Sequence, residues 1–171
     1  MNKADENRQQ IVAAVAAHLL REGFQNSGLR ALARAAGRSD RMLMYYFSTK
    51  EEIVAEAMLL SAGRLAEELE ASLPGTGHST THIIDVLMTA TQRQTVQPVI
   101  RLWFEIVGLA MRGQEPYLTT ARLILHNWHS WLKQKMDPKD HAESHSLLAQ
   151  LEGQLLLSLL DTNAKPAALN H

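Results

Sequence analysis

Apolar residues recur along this chain at helical spacing, and no stretch shows the strict alternation of a half-buried strand. Residues 6–22 predict a first helix with Val12, Val15, Ala16 and Leu19 as its buried stripe and Arg8, Gln9 and Arg21 on the wet side. Gly23 stops it, and Phe24 is placed to close a small core beneath the next two helices. Leu29, Leu32, Ala33 and Ala36 then repeat at i, i+3, i+4 and i+7, one face of a short helix that Ser27 is placed to cap. Gly37 ends that helix, because glycine takes left-handed geometry without a Cβ clash, and Ser39 starts the next, over Asp40 to Tyr46. Leu43 and Phe47 are four apart and point inward, which leaves Arg41, Met42, Tyr45 and Tyr46 on the outer side.

Thr49, with Glu52 three residues on, forms a capping box that opens a long fourth helix from Lys50 to about Ser72. LPGTGHS, residues 73–79, is the clearest linker, since one proline and two glycines interrupt every helical pattern. A fifth helix is predicted from Thr80 to Gln97, and Pro98 suits the first position of a sixth. That sixth helix is apolar nearly all round, broken chiefly by Arg101 and Glu105, and should form the buried centre of the second half. Pro116 opens a seventh helix, in which Leu118, Ala121, Leu125, Trp128 and Leu132 keep bundle spacing until Asp137 and Pro138. The last helix, Asp140 to Leu160, carries leucines over more than one face, and a terminal helix buries only one face in its own core. The other face calls for a partner chain. The tail after Thr162 is expected to fray.

The predicted architecture is therefore all-α. A three-helix unit spans residues 1–50, and a helical bundle spans 51–171. With no cysteine, disulfides, thiolate metal sites and cysteine nucleophiles are excluded together. No apolar run approaches a membrane span, and MNKADENRQQ lacks a signal-peptide core, so a cytoplasmic location is expected. A net charge of −1 hides an asymmetry. Residues 1–50 carry eight Lys and Arg against four Asp and Glu, whereas residues 51–171 carry nine against fourteen. The basic end is the three-helix unit, the place to expect phosphate contact. An excess of four is modest, so useful affinity for nucleic acid calls for two copies.

Two short helices joined by a glycine-containing turn, the second crowded with Arg41, Tyr45 and Tyr46, form the pattern of a helix-turn-helix whose second helix enters the major groove of DNA. The run GF, then LRALARAAGRS, then LMYYFSTKEEI resembles the DNA-binding domain of the tetracycline-repressor (TetR) family over roughly residues 6 to 60. The resemblance implies a homodimeric, ligand-responsive regulator, a repressor in the first instance, acting on a palindromic double-stranded operator. It implies DNA contacts from Ser27, Gly28, Ser39, Asp40, Arg41, Met42, Tyr45, Tyr46 and Lys50, with Tyr45 and Lys50 on phosphates. It also implies that the last two helices pair across a two-fold axis. Leu125, Leu148, Leu151, Leu155 and Leu159 are assigned to that interface. Many family members have valine, serine, lysine, glycine and threonine where this chain has Arg38, Ser39, Asp40, Arg41 and Met42, so its groove-facing surface is its own. Asp40 can accept from a cytosine N4 amino group and Arg41 can bind a guanine edge in bidentate fashion. Arg8 is read first as a solvated residue and second as a phosphate contact.

Met88, Trp103, Phe104, Met111 and Trp128 are candidate walls of a pocket for a small apolar effector, although such residues equally build an ordinary core. His78 and His82, and His141 and His145, are each four apart, but a two-histidine pair without cysteine or an HExxH pattern reads as solvated rather than metal-binding. No GxSxG elbow and no glycine-rich loop after a strand is present, so neither an enzyme nor a cofactor is expected. The competing reading is a helical small-molecule- or partner-binding protein whose helix-turn-helix is inactive, with Asp40 as the feature favouring it.

Overall fold

The computed structural model describes residues 3–163, and among them the chain folds into eight α-helices with no strand. α1 spans Lys3–Glu22, α2 Leu29–Ala35, α3 Asp40–Tyr46 and α4 Lys50–Ser72. The second half contains α5 Thr80–Ala90, α6 Gln97–Ala110, α7 Tyr117–Lys135 and α8 Ser144–Asn163, with a 3-10 helix at Pro138–Glu143. The expected tail beyond Thr162 lies almost wholly outside the described residues.

Local chemistry sets most of these boundaries. Ser39 accepts from the Met42 N–H at 3.2 Å, Thr49 from Glu52 at 3.1 Å and Ser79 from His82 at 3.3 Å, each satisfying a donor the first helical turn leaves open. Gly37 follows α2 with φ +62°, the left-handed step that turns the chain into α3. Three expectations need correction. Ser27 does not cap α2, because its buried hydroxyl donates to the Gly23 carbonyl at 2.6 Å and Gly28 holds the N-cap position with no side-chain bond. The fifth helix ends at Ala90 rather than Gln97, where the polar stretch Thr91 to Val96 folds into successive turns. The last helix begins at Ser144, since Pro138 and the Asp137 cap on the Lys139 N–H first wind a 3-10 turn.

The 73–79 linker is anchored. His78 donates its N–H to the Lys135 carbonyl at 2.9 Å and accepts from Asp137 at 3.0 Å. The buried Lys135 ammonium pairs with Glu70, donates to the Gly75 carbonyl at 3.0 Å and lies over the Trp131 ring. Hydrogen bonds from Lys135 and Trp131 hold the Glu70 carboxyl below the usual range.

Two clusters of buried side chains form the interior. The first joins α1, α2 and α3 to α4, α6 and α7 through residues such as Ile11, Leu32, Leu43, Ile53, Ile106 and Ile124. The second sits at the far end, with Leu73, Ile83, Leu132, Met136 and Leu147. Leu65 and Trp128 touch both. α6 packs on α1, α4, α7 and α8, and is as central as its composition predicts.

Candidate functional site

The outer face of the helix-turn-helix is built by the same spacing that buries its inner face. Leu43 and Phe47 are buried, and in the 3.6-residue period this turns Arg41, Met42, Met44 and Tyr45 outward. Tyr45 is 76% exposed and meets Tyr46 edge-on at 5.1 Å between ring centres, so Tyr46, half-buried, props the exposed ring. Asp40 stands 4.0 Å from the guanidinium of Arg30, which places a cation beside the one acidic group of α3. Gly28 and Ser39 are exposed, whereas Ser27 is buried and bonded inward. Lys50 holds its ammonium 5.2 Å from the centre of the Phe24 ring. Arg34 and Arg38 are exposed on the same unit as Arg30 and Arg41. The spacing of Arg30, Arg34 and Arg38 at successive i+4 steps was the available sign of this basic edge.

Arg8 is partly exposed but engaged by carboxylates rather than free for phosphate. Its guanidinium bonds Glu56 through both terminal nitrogens and Glu52 at 3.0 Å, and stacks over Phe47 at 4.5 Å. The Glu56 hydrogen bond, above all, raises its pKa. Arg8 thus ties α1 to α4 and to the end of α3. Sequence spacing cannot find such a bond, since the partners lie 44 and 48 positions away.

The second feature is a cavity of about 90 Å³ at the seam between the two core clusters. α4 supplies Met58, Ala62, Leu65 and Leu69 to its wall. Met88, Trp103 and Trp128 line it as expected, but Phe104 and Met111 do not. Phe104 packs on the outside of the first cluster, and Met111, at the end of α6, is 84% exposed. The unexpected member is Glu152 on α8, among the described residues the only charged one of the lining, whose carboxylate accepts from Trp103 Nε1 at 2.9 Å. Burial pushes its pKa up, partly opposed by the Trp103 hydrogen bond. Its only trace in the sequence is a lone acidic residue inside LLAQLEGQLLL.

A carboxyl whose pKa is raised on folding binds more protons in the folded than in the unfolded chain above the ordinary carboxylate range, so its contribution to stability falls as pH rises through that window. Glu152→Gln is expected to abolish this fall. Melting temperatures of the two proteins should diverge from acid to neutral pH, with the variant the more stable; parallel curves would mean that Glu152 does not titrate abnormally.

The assigned interface leucines divide. Leu147 and Leu151 are buried in the second cluster, Leu148 packs on it, and Leu148, Leu151 and Leu155 face the cavity. Leu125 is half-buried against the first cluster, and Leu159 is half-buried. Leu123 of α7 and Leu156, Leu157 and Leu160 of α8 are the ones left exposed. Three of the expected interface positions, Leu148, Leu151 and Leu155, therefore face the chain's own cavity.

Residues 11–57, from within α1 to within α4, match the model of the bacterial regulatory proteins of the tetR family. The N-terminal unit of this chain is thus a helix-turn-helix domain of the tetR type. It is 25% identical over 167 residues to the HTH-type transcriptional regulator PksA of Bacillus subtilis (strain 168), covering 92% of this chain and 80% of that one. The fold of the whole chain is shared with a transcriptional regulator from Rhodococcus sp. Rha1, at a TM-score of 0.68 and 20% identity over 93% of this chain and 87% of that one. It is shared also with the multidrug binding protein EbrR, solved in complex with imidazole, at 0.71 and 20% over 91% and 85%. Among the described residues no helix is long and apolar enough to cross a membrane, and no group of three or more metal-ligating side chains is assembled.

Proposed function

We propose that this regulator binds a palindromic DNA operator as a homodimer and represses transcription until a small effector enters the cavity. The observation that carries the reading is the outer face of α3, where an exposed arginine and an exposed tyrosine stand on a helix whose other side is locked into the core. Residues 1–50 would form the DNA-binding unit and 51–171 the effector-binding and dimerisation part. Arg41 and Asp40 are assigned to base edges, and Tyr45, Lys50, Gly28 and Ser39 to the backbone. Met42 lies beside them, and Tyr46 supports Tyr45. Ser27 has a structural role, holding the turn before α2.

Two recognition helices on a two-fold axis must lie about 34 Å apart, or a multiple of that, to enter successive major grooves on one side of the duplex. α4 links this requirement to the cavity. Its middle lines the cavity, while near its start Glu52 and Glu56 hold Arg8 and, through it, Tyr46 and Phe47. A ligand that displaces α4 would change the distance between the two α3 helices and weaken both half-site contacts together. By linkage, DNA must weaken ligand binding by the same factor, typically about 5- to 150-fold.

Selection from a random duplex pool tests the reading, the expected product being an inverted repeat bound with steep salt dependence. On that sequence Arg41→Ala should cost about 1 to 3 kcal/mol of discrimination at one base pair per half-site, whereas Tyr45→Phe and Lys50→Ala should weaken all sequences alike. Equal loss on operator and random DNA for Arg41→Ala would remove it as a base reader. No enrichment at all would favour an inactive helix-turn-helix.

A further inference from the structure

The seam cavity has a chemical bias that its position alone does not explain. Among the described residues nineteen line it, and all but Thr91 and Glu152 are apolar or aromatic. Thr91 is already committed, donating its hydroxyl to the Met88 carbonyl at 2.6 Å. Among the described residues no lysine, arginine or histidine lies in the wall, and no cation is within ion-pair distance of Glu152. The half-buried Glu152 carboxyl thus borders an apolar wall with a hydrogen bond from Trp103, a residue that also presents its ring to the cavity. Leaving a carboxylate in such a place is costly unless an opposite charge joins it, and in a low-dielectric site that charge gains more than it would in water.

We infer that this cavity takes a hydrophobic cation, a protonated or quaternary amine on an apolar body, with Glu152 as counter-ion and the rings of Trp103 and Trp128 as walls. Aromatic faces attract cations through the ring quadrupole, and the surrounding leucines and methionines take the apolar body. An anion would meet Glu152 with no compensating cation in the wall. A neutral molecule would bury its own surface but leave the carboxylate unmatched. The surroundings set the size. The cavity holds about 90 Å³, and a neighbouring cleft of about 270 Å³ shares Ala62, Ile124 and Trp128 with it. Trp128 therefore stands between the two, and a larger cation would be admitted by turning that one ring.

This inference rests on the cavity being the effector site, and the probes are chosen to separate the two ideas. Benzyltrimethylammonium, its uncharged carbon isostere neopentylbenzene, and phenylacetate are titrated into the full-length protein, with tryptophan fluorescence as the signal, since two of the three tryptophans line the cavity. Benzyltrimethylammonium is expected to bind at least tenfold more tightly than the other two. In Glu152→Gln and Glu152→Met, both near in volume, its affinity should fall at least tenfold while that of neopentylbenzene holds or improves. Melting curves on the same samples establish that both variants are folded, and if one is not, the other decides. Binding of neopentylbenzene or phenylacetate in preference to the cation, or a cation affinity unchanged by both substitutions, overturns the cation assignment and leaves the cavity as a ligand site. Failure of all three probes to bind overturns both ideas.

Discussion

Leu157→Asp is expected to turn a dimer into a folded monomer, and Leu151→Asp, six residues away on the same helix, to unfold the chain. Leu157 is 61% exposed in the single chain, so a carboxylate there stays hydrated, and the monomer's stability should change by no more than about 0.5 kcal/mol. In a two-fold dimer the same substitution appears twice at one interface, and two like charges would have to be desolvated beside each other. Leu151 is 5% exposed and belongs to the second core cluster. Emptying such a site costs about 2 to 5 kcal/mol, before the expense of burying a charge is added, against a total stability of about 5 to 15 kcal/mol. Sedimentation equilibrium at micromolar concentration, with circular dichroism on the same samples, reads both outcomes. Operator affinity of Leu157→Asp should fall by a factor of about 10² to 10⁴, because each half-site is then bound without the help of the other. A wild type that sediments as a monomer would remove α8 as a dimer surface.

Trp103→Ala should lower folding stability by about 3 to 5 kcal/mol and also disturb the ligand response. The residue is 6% exposed and packs in the first core cluster, so truncation leaves a hole at the junction of α6 and α8. It also strips the half-buried Glu152 carboxyl of its indole donor. Core residue and cavity wall are thus one side chain. Trp103→Phe separates the roles, since it keeps most of the bulk and removes the N–H. Its stability loss should be less than half that of Trp103→Ala, while affinity for a cationic probe should change in both. Denaturant unfolding and an operator titration with and without benzyltrimethylammonium check this. Large destabilisation with unchanged ligand coupling would make Trp103 core alone.

The start and end of α3 and the turn before it were legible from 24 consecutive residues, Ser27 to Lys50. Caps, a left-handed glycine and an apolar stripe act over three or four positions, and the same atoms that make them legible also make them form. The start of α4 at Thr49, the central place of α6 and the two ends of α7 were legible for the same reason. The inward face of α8 was not. Its leucines occupy several faces, so periodicity offers more than one solution, and α5, α6 and α7 decide which stripe they accept. Long-range partners were not legible either. Arg8 with Glu52 and Glu56, and Trp103 with Glu152, join residues 44 to 49 positions apart, and nothing in the local pattern marks one exposed-looking Glu as the one that will face a cavity. The helices and the outer face of α3 could be read from the residues alone, because both arise from nearest-neighbour geometry. The cavity, the Glu152 carboxyl in its wall and the choice of which α8 leucines stay exposed arise where two core clusters meet, and that meeting is set by the packing of helices far apart in the chain.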